Sequence, residues 1–214
     1  MDSTSFNRNV LLEKIRSFIN LYQSDLSFAH GFDHVKRVCK LALFISEREG
    51  GDPTVLEIAA LLHDIGYVPL AALKRELMVG DSSEEHSIFF ESYFTGTADH
   101  AELSARIAQN FLKEMGLSGD KIEHICAAIR EHNKPIKSSL ESKILNDADV
   151  LERYGAIWIA RAFQRTSAFD KRLGIETVID KYLEPSGRPR HTKTAQSMME
   201  KRMEFQISFT KQLK

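Results

Sequence analysis

Apolar residues recur at helical spacing along most of this 214-residue chain, and that pattern limits its fold more than any other feature. Within 33–49 they fall at positions i, i+3, i+4 and i+7, which places them on one side of an amphipathic helix. Strand-like alternation is almost absent, and only five prolines and eleven glycines interrupt the pattern. We therefore predict an all-α fold.

The same periodicity, with helix start and stop signals, divides the chain into a series of predicted helices. Asp52-Pro53 supplies an N-cap and a first-turn proline for the third helix, and Gly116 can close the fourth. A chain of this length can enclose one sizeable core, so we predict a single domain over 1–214. The helices are predicted at about 7–22, 33–49, 53–66, 99–115, 118–132, 139–150, 151–169, 172–184 and 192–213.

Residues 67–98 depart from this clean periodicity. Glycines, paired glutamates and several closely spaced aromatic residues occur there. A short helix packed on the body and a flap over a pocket both remain open, since long connections in compact domains are often lids or binding loops.

Charge and apolar content exclude several classes of protein. The chain has 29 basic and 30 acidic residues, a net charge of −1, whereas a protein that binds nucleic-acid polymers needs a clustered basic excess. No apolar run approaches the ~20 residues that cross a bilayer, and the N-terminal residues are too polar for a secretory signal. Cys39 and Cys126 fall in separate helical patterns, which favours reduced thiols in a cytoplasmic protein. We expect a small-molecule partner and leave a homodimer open.

His63-Asp64 is the first residue pair that indicates chemistry. It ends the apolar segment LEIAALLHDIG, whose last turn should be buried. A buried imidazole and carboxylate need partners, because an isolated buried charge is costly. A cation is one such partner, and an arginine or lysine is the alternative.

Further histidines and aspartates stand at the ends of other predicted helices, where side chains from several helices can converge on one pocket. Neutral imidazoles with carboxylates suit Mn, Fe, Zn, Ni or Co, and Mg is favoured less as histidines are added. The spaced set, rather than any one histidine, predicts a divalent metal site. Its further members are His30, Asp33-His34, Asp99-His100, His132, Asp147 and Asp149.

The order of these motifs resembles the HD-domain phosphohydrolase superfamily. The segments that carry the resemblance are HGFDHVKRV, AALLHDIGY, DHAELSARIA, IREHN and KILNDADVLE, which span about 28–165. The C-terminal TAQSMMEKRMEFQISF is similar to the closing helix of the bacterial stand-alone members. Asp149, rather than Asp147, matches the family's final aspartate. The resemblance implies a helical bundle in which four residues bind a metal ion: His34, His63, Asp64 and Asp149.

Two more histidines, His100 and His132, correspond to the extra histidines of members that hold two metal ions, with Asp64 as the bridge. With one ion, the arrangement that we favour, they would contact substrate phosphate or a water molecule. The expected reaction is attack on phosphorus by a metal-activated water. Asp64 would accept the proton of that water, and His100 or His132, when protonated, would steady the phosphate or protonate the leaving oxygen.

Supporting roles are expected for residues around this set. Asp33 would orient an imidazole, cap the helix that it precedes, or do both. His30 would support the ligands from outside, and Asp147 would cap a helix or support the ligands from outside. Arg37 lies one turn after His34 on the same helical face, and an ordinary surface arginine is the alternative. The candidate phosphate contacts are Arg37, Lys74, Arg75 and Arg161.

The resemblance implies hydrolysis of a phosphate ester or anhydride, with a nucleotide as the substrate class, although a fold family does not by itself fix function. Two alternatives remain open at this point. The same six-ligand pattern supports a di-iron oxygenase in some relatives, and a non-catalytic nucleotide sensor would use the metal site only for binding.

Overall fold

The computed structural model describes residues 7–21, 31–67, 99–169, 174–183 and 190–213. Every regular element in these ranges is a helix, so the all-α prediction is confirmed. In chain order the helices are α1 (Arg8–Leu21), α2 (Phe32–Glu49), α3 (Pro53–Leu62), α4 (His100–Glu114), α5 (Gly119–Glu131), α6 (Leu140–Leu151), α7 (Ala156–Phe169), α8 (Ile175–Val178) with a π-helical turn (Ile179–Leu183), and α9 (Lys193–Leu213).

The centre of the bundle is formed by α2, α3, α5 and α6, which pack against one another, while α4 lies on α5. The apolar stripe that the sequence shows on α2 is buried, from Val35 and Val38 to Ala42 and Ile45. Helix α3 is apolar on nearly all sides, as expected of a helix with neighbours all round. Helix α9 contacts α2, α6 and α7 and so packs the C-terminal part of the chain against the bundle.

Helix α3 begins as the sequence predicts and ends earlier. The Asp52 side chain accepts hydrogen bonds from the backbone N–H groups of Thr54 and Val55, at 2.8 and 3.2 Å, and Pro53 is the first helical residue. The helix was expected to continue to Gly66, but it ends at Leu62 and 63–66 form turns. His63 and Asp64 therefore lie in a turn at the end of a buried helix.

A second difference concerns the predicted helix 151–169. Residues 152–155 form a turn, and Gly155 has a φ of 78°, a left-handed conformation that glycine adopts without steric cost. The Gly155 N–H donates to Gln206 Oε1 of α9 at 2.9 Å, which fixes this turn against the C-terminal helix. Helix α7 starts only after the turn, at Ala156.

Helices α7 and α8 enclose a smaller apolar cluster beside the main core, with Ile159, Val178 and Leu183 among its members. Nowhere in the five described ranges does a helix have both the length and the apolar character needed to cross a bilayer. The flap predicted at 67–98 lies outside the described residues, apart from Tyr67 at its start.

Candidate metal centre

Six of the predicted site residues meet at one end of the bundle because each lies at or near a helix end. His34 is in the first turn of α2, and His100 is the first residue of α4. His63 and His132 follow the last residues of α3 and α5. Asp64 stands in the turn after α3, and Asp149 is in the last turn of α6. All except His100 are buried, and the His100 side chain is 17% exposed.

The four residues predicted as ligands lie close to one another. His34 Nε2 is 3.4 Å from Asp64 Oδ2 and 3.4 Å from Asp149 Oδ1. His63 Nε2 is 3.3 Å from the same Asp64 oxygen. Ligand atoms about 2.0–2.2 Å from one cation stand about 3–4 Å from each other, so these separations fit a shared divalent ion.

The ligand atoms form two overlapping groups, in each of which every atom lies within 4.8 Å of the others. One group is His34, His63 and Asp149, and the other is His63, Asp64 and His132. Among the described residues, His100 belongs to neither group. Its Nε2 is 3.7 Å from the other Asp64 oxygen, Oδ1, and its ring stacks on Tyr67 with the centroids 4.2 Å apart.

Backbone carbonyl groups orient two of the imidazoles. His63 Nδ1 is 2.7 Å from the Ala60 oxygen, and His132 Nδ1 is 2.7 Å from the Ile129 oxygen. A carbonyl oxygen can only accept, so each Nδ1 carries a hydrogen, and in the neutral ring each Nε2 presents a lone pair. His63 Nε2 is fully buried and has no hydrogen-bond partner among the described residues. A buried nitrogen of this kind is costly without a partner, and a cation beside Asp64 supplies one.

The electrostatics of the cluster also favour a cation. Burial lowers the pKa of His34, but Asp149, Asp64 and Glu152 outweigh burial and raise that pKa to about 10. Burial raises the pKa of Asp149, yet His34 and Arg153 hold it well below its usual range. The Asp149 carboxylate thus stays ionised beside positive charge, and a proton on His34 or a metal ion adds to the charge of Arg153.

His132 behaves differently from His34. Burial, followed by the neighbouring His63, lowers the pKa of His132 to about 4. The ring is therefore neutral at physiological pH, and it offers a lone pair rather than a proton. A role for His132 as proton donor to the leaving oxygen requires the charged ring, which these surroundings disfavour.

The cluster borders a cavity of about 420 Å³. Asp64, His100, His132 and Asp149 contribute to its wall, as does Tyr67. The wall also carries basic residues that the sequence had not indicated as site residues: Lys134, Lys137, Arg153 and His191. Two of them had a sequence signal, because Lys134 follows the ligand-like His132 closely and Arg153 lies one turn after Asp149.

Arg37 and Arg161, predicted to contact phosphate, are directed to a buried glutamate instead. Arg37 Nε donates to Glu152 Oε2 at 2.6 Å, and Arg161 Nη1 is 3.5 Å from the same oxygen. Neither arginine lines the cavity in the part of the chain that the structure describes. Glu152 itself was not singled out from the sequence.

The remaining predicted residues lie outside the ligand cluster. Asp33 is 78% exposed and pairs with Lys36 at 2.7 Å. The N-cap of α2 is Gly31, so Asp33 does not cap this helix, and its recorded contacts include no imidazole of a described residue. Asp147 is buried and accepts hydrogen bonds from His191 and Thr192, which fastens the start of α9. Three residues lie outside the described ranges: His30, Lys74 and Arg75.

Comparison with known proteins connects this site to a family. The model of the family described as HD domain matches residues 31–154, which include all six clustered side chains. The chain belongs to the HD-domain family. HD domains bind divalent metal ions. The buried histidine and aspartate groups of this chain could hold such an ion.

Relatives extend the similarity beyond the HD domain. The uncharacterized protein YpgQ of Bacillus subtilis is 30% identical over 211 residues, covering 94% of this chain and 91% of YpgQ. A predicted HD superfamily hydrolase from an uncultured Thermotogales bacterium has a similar crystal structure, with 29% identity, a TM-score of 0.60 and 97% of each chain covered. A crystal structure of YpgQ in complex with ADP is also similar, with 27% identity, a TM-score of 0.61, and 95% of this chain and 94% of that chain covered.

Proposed function

We propose that this HD-domain protein is a metal-dependent phosphohydrolase that cleaves a phosphate ester or anhydride, with a nucleotide as its substrate class. The observation that carries the proposal is that candidate metal ligands and basic side chains line the same cavity. Asp64, Asp149 and His132, which belong to the candidate ligand groups, border the cavity, and lysine and arginine side chains line it as well. A phosphate needs both kinds of contact. The ADP complex of YpgQ supports the nucleotide class.

His34, His63, Asp64 and Asp149 would hold the divalent cation. A cation held there supplies Lewis-acid chemistry, which activates a water molecule and offsets charge on the phosphoryl group. Asp64 Oδ1 is directed to the His100 side of the cluster, where it can accept a proton from that water.

The two other histidines have different roles in this proposal. His100 is partly exposed at the cavity and is held by its stacking on Tyr67, so it steadies the phosphate or protonates the leaving oxygen. His132 is neutral and buried, so it presents a lone pair to the group that it forms with His63 and Asp64. That His100 belongs to neither ligand group among the described residues supports one cation, with His100 left to meet the substrate.

Basic side chains complete the substrate contacts. Lys134 and Lys137 lie in the segment after α5, Arg153 follows α6, and His191 precedes α9. Because these positions belong to different elements, their side chains can contact a phosphate from several sides.

The test is a metal-reconstitution and turnover experiment. Protein stripped of metal is reloaded separately with Mn, Fe, Co, Ni, Zn or Mg, its metal content is measured, and nucleotides are screened for hydrolysis products. We expect hydrolysis with at least one metal, and we expect Asp64→Ala to abolish it while the circular dichroism of the helices is retained.

Other results would overturn the proposal. Absence of hydrolysis in protein shown to be metal-loaded would contradict it. Two irons per chain with a visible absorption band and substrate oxidation would indicate the oxygenase alternative. Thermal stabilisation by nucleotides without turnover would indicate a sensor.

A further inference from the structure

His34 differs from the other buried histidines of the centre in its place on a helix. His63 and His132 follow helix C-termini, where carbonyl oxygens of the last turn lack helical partners and can accept from Nδ1. His34 stands in the first turn of α2. The carbonyl three residues before it, that of Gly31, already accepts the backbone N–H groups of His34 and Val35. Among the described residues, a group from another element faces His34 Nδ1.

Glu152 is that group. His34 Nε2 faces Asp149 Oδ1 at 3.4 Å, and His34 Nδ1 faces Glu152 Oε2 at 3.6 Å. Asp149 and Glu152 are three residues apart, so both project from one face of the end of α6. The imidazole lies between the two carboxylates, one on the ligand side and the other behind the ring.

Two arginines hold Glu152 in this position. The Glu152 side chain is buried, with 1% of the residue exposed. Arg37 donates to its Oε2 at 2.6 Å, and Arg161 donates to its backbone oxygen at 3.2 Å while lying 3.5 Å from Oε2. A buried carboxylate with this compensation stays charged and fixed in place.

We propose that Glu152 is a positioning residue, which together with Arg37 and Arg161 sets the tautomer and orientation of His34 so that Nε2 binds the cation. This inference rests on the metal site of the proposed function. The 3.6 Å separation between Glu152 Oε2 and His34 Nδ1 is a charge contact rather than a hydrogen bond. A negative carboxylate beside Nδ1 favours the hydrogen on that nitrogen, which leaves the lone pair on Nε2 and makes Nε2 a better ligand. Arg37 thus acts through Glu152 and His34 rather than on substrate.

Metal affinity of a shape-conserving variant tests the role of Glu152 without relying on turnover. Glu152→Gln keeps the side-chain volume and removes the negative charge. We expect it to bind Co²⁺ about 10- to 100-fold more weakly than the unmodified chain by calorimetry, with an altered Co²⁺ absorption spectrum. Arg37→Lys, which retains the charge but loses the fixed guanidinium fork, should weaken binding in the same direction by a smaller factor.

Glu141→Gln is the matched control. Glu141 is a buried glutamate on the same helix, 7% exposed, that faces His124 Nε2 at 3.1 Å and accepts from the Asp52 N–H at 2.8 Å. These partners do not belong to the metal centre, so Co²⁺ affinity should match that of the unmodified chain. A Glu152→Gln protein that loses thermal stability but keeps full Co²⁺ affinity would show a merely structural role and overturn the proposal.

A measurement on the unmodified chain covers the case in which Glu152→Gln does not fold. Two-bond ¹H–¹⁵N correlation spectra of the Zn²⁺-loaded protein, labelled at histidine, report which ring nitrogen of His34 carries hydrogen. We expect hydrogen on Nδ1, and hydrogen on Nε2 would overturn the inference. If the unmodified chain binds no divalent cation, the proposed function fails as well, whereas unchanged affinity in Glu152→Gln with normal turnover removes only this inference.

Discussion

Lys137 and Lys121 carry the same side chain in different surroundings, and this contrast isolates the contribution of one residue to substrate binding. Lys137 lines the cavity, and burial lowers its pKa. Lys121 lies 3.9 Å from Asp52, and the described cavity lining does not include it. We predict that Lys137→Met raises KM for the nucleotide substrate about tenfold or more, because a hydrogen bond to a charged group contributes about 1.5–3 kcal/mol.

Steady-state kinetics of the two methionine variants check this prediction. Lys121→Met should leave KM within about twofold of the unmodified value, since most exposed ion pairs contribute little. Equal KM values for Lys137→Met and the unmodified chain would mean that this lysine does not meet the phosphate.

Adjacent residues show how far the sequence could predict the site at this scale. Asp33 precedes His34 directly, yet consecutive side chains on a helix are about 100° apart. With His34 buried, Asp33 faces solvent, 78% exposed. Side chains one turn apart share a face, and Arg37 does lie near His34. Its partner, however, is Glu152, 115 residues further along the chain, which no local pattern of the sequence indicates.

At the scale of helices, Gly66 controls how closely the turn after α3 approaches α4. A methyl carbon placed on Gly66 would lie 2.3 Å from the His100 carbonyl oxygen and 2.7 Å from the Ser104 nitrogen. The Gly66 N–H donates to Ser104 Oγ at 2.9 Å. Because the clashing atoms are backbone, relief requires movement of α4, the helix that carries His100.

We therefore predict that Gly66→Ala lowers the free energy of unfolding by about 1–3 kcal/mol, the usual cost of overpacking, and weakens substrate binding. Urea denaturation measures the first effect and KM the second. Gly119→Ala is the control, because a methyl carbon at Gly119, on the exposed start of α5, meets nothing within 4 Å. If both variants were equally stable, the close approach would not limit the packing.

Helix existence was predictable from the sequence, and some helix ends were not. Apolar periodicity and the Asp52 cap are local, so α2 and the start of α3 agree with the prediction. The turn at 63–66 and the turn at 152–155 are fixed by distant partners, Ser104 for the Gly66 N–H and Gln206 for the Gly155 N–H. These two hydrogen bonds depend on how the helices pack, and the spacing of residues along the sequence does not predict them.

For the whole molecule, the metal centre is a junction of helices. Its side chains come from the ends of α2, α3, α4, α5 and α6, and four of these helices form the centre of the bundle. Without a cation, the Asp149 carboxylate relies on a proton at His34 and on Arg153 for compensation. A bound ion would therefore link the helices and stabilise the folded state over the unfolded chain, in which the ligands are far apart.

Metal removal should accordingly lower the Tm of the whole chain. A cation present at 100 times its Kd stabilises the folded state by about 2.7 kcal/mol, and a protein of this length changes its Tm by about 2–4 °C per kcal/mol. We expect chelation with EDTA to lower Tm by about 5–10 °C in differential scanning calorimetry, and metal to restore it in proportion to the logarithm of its concentration. Asp64→Ala protein should show a much smaller shift, because the shared carboxylate is gone. A Tm that does not respond to EDTA in metal-loaded protein would mean that the ion does not hold these helices together.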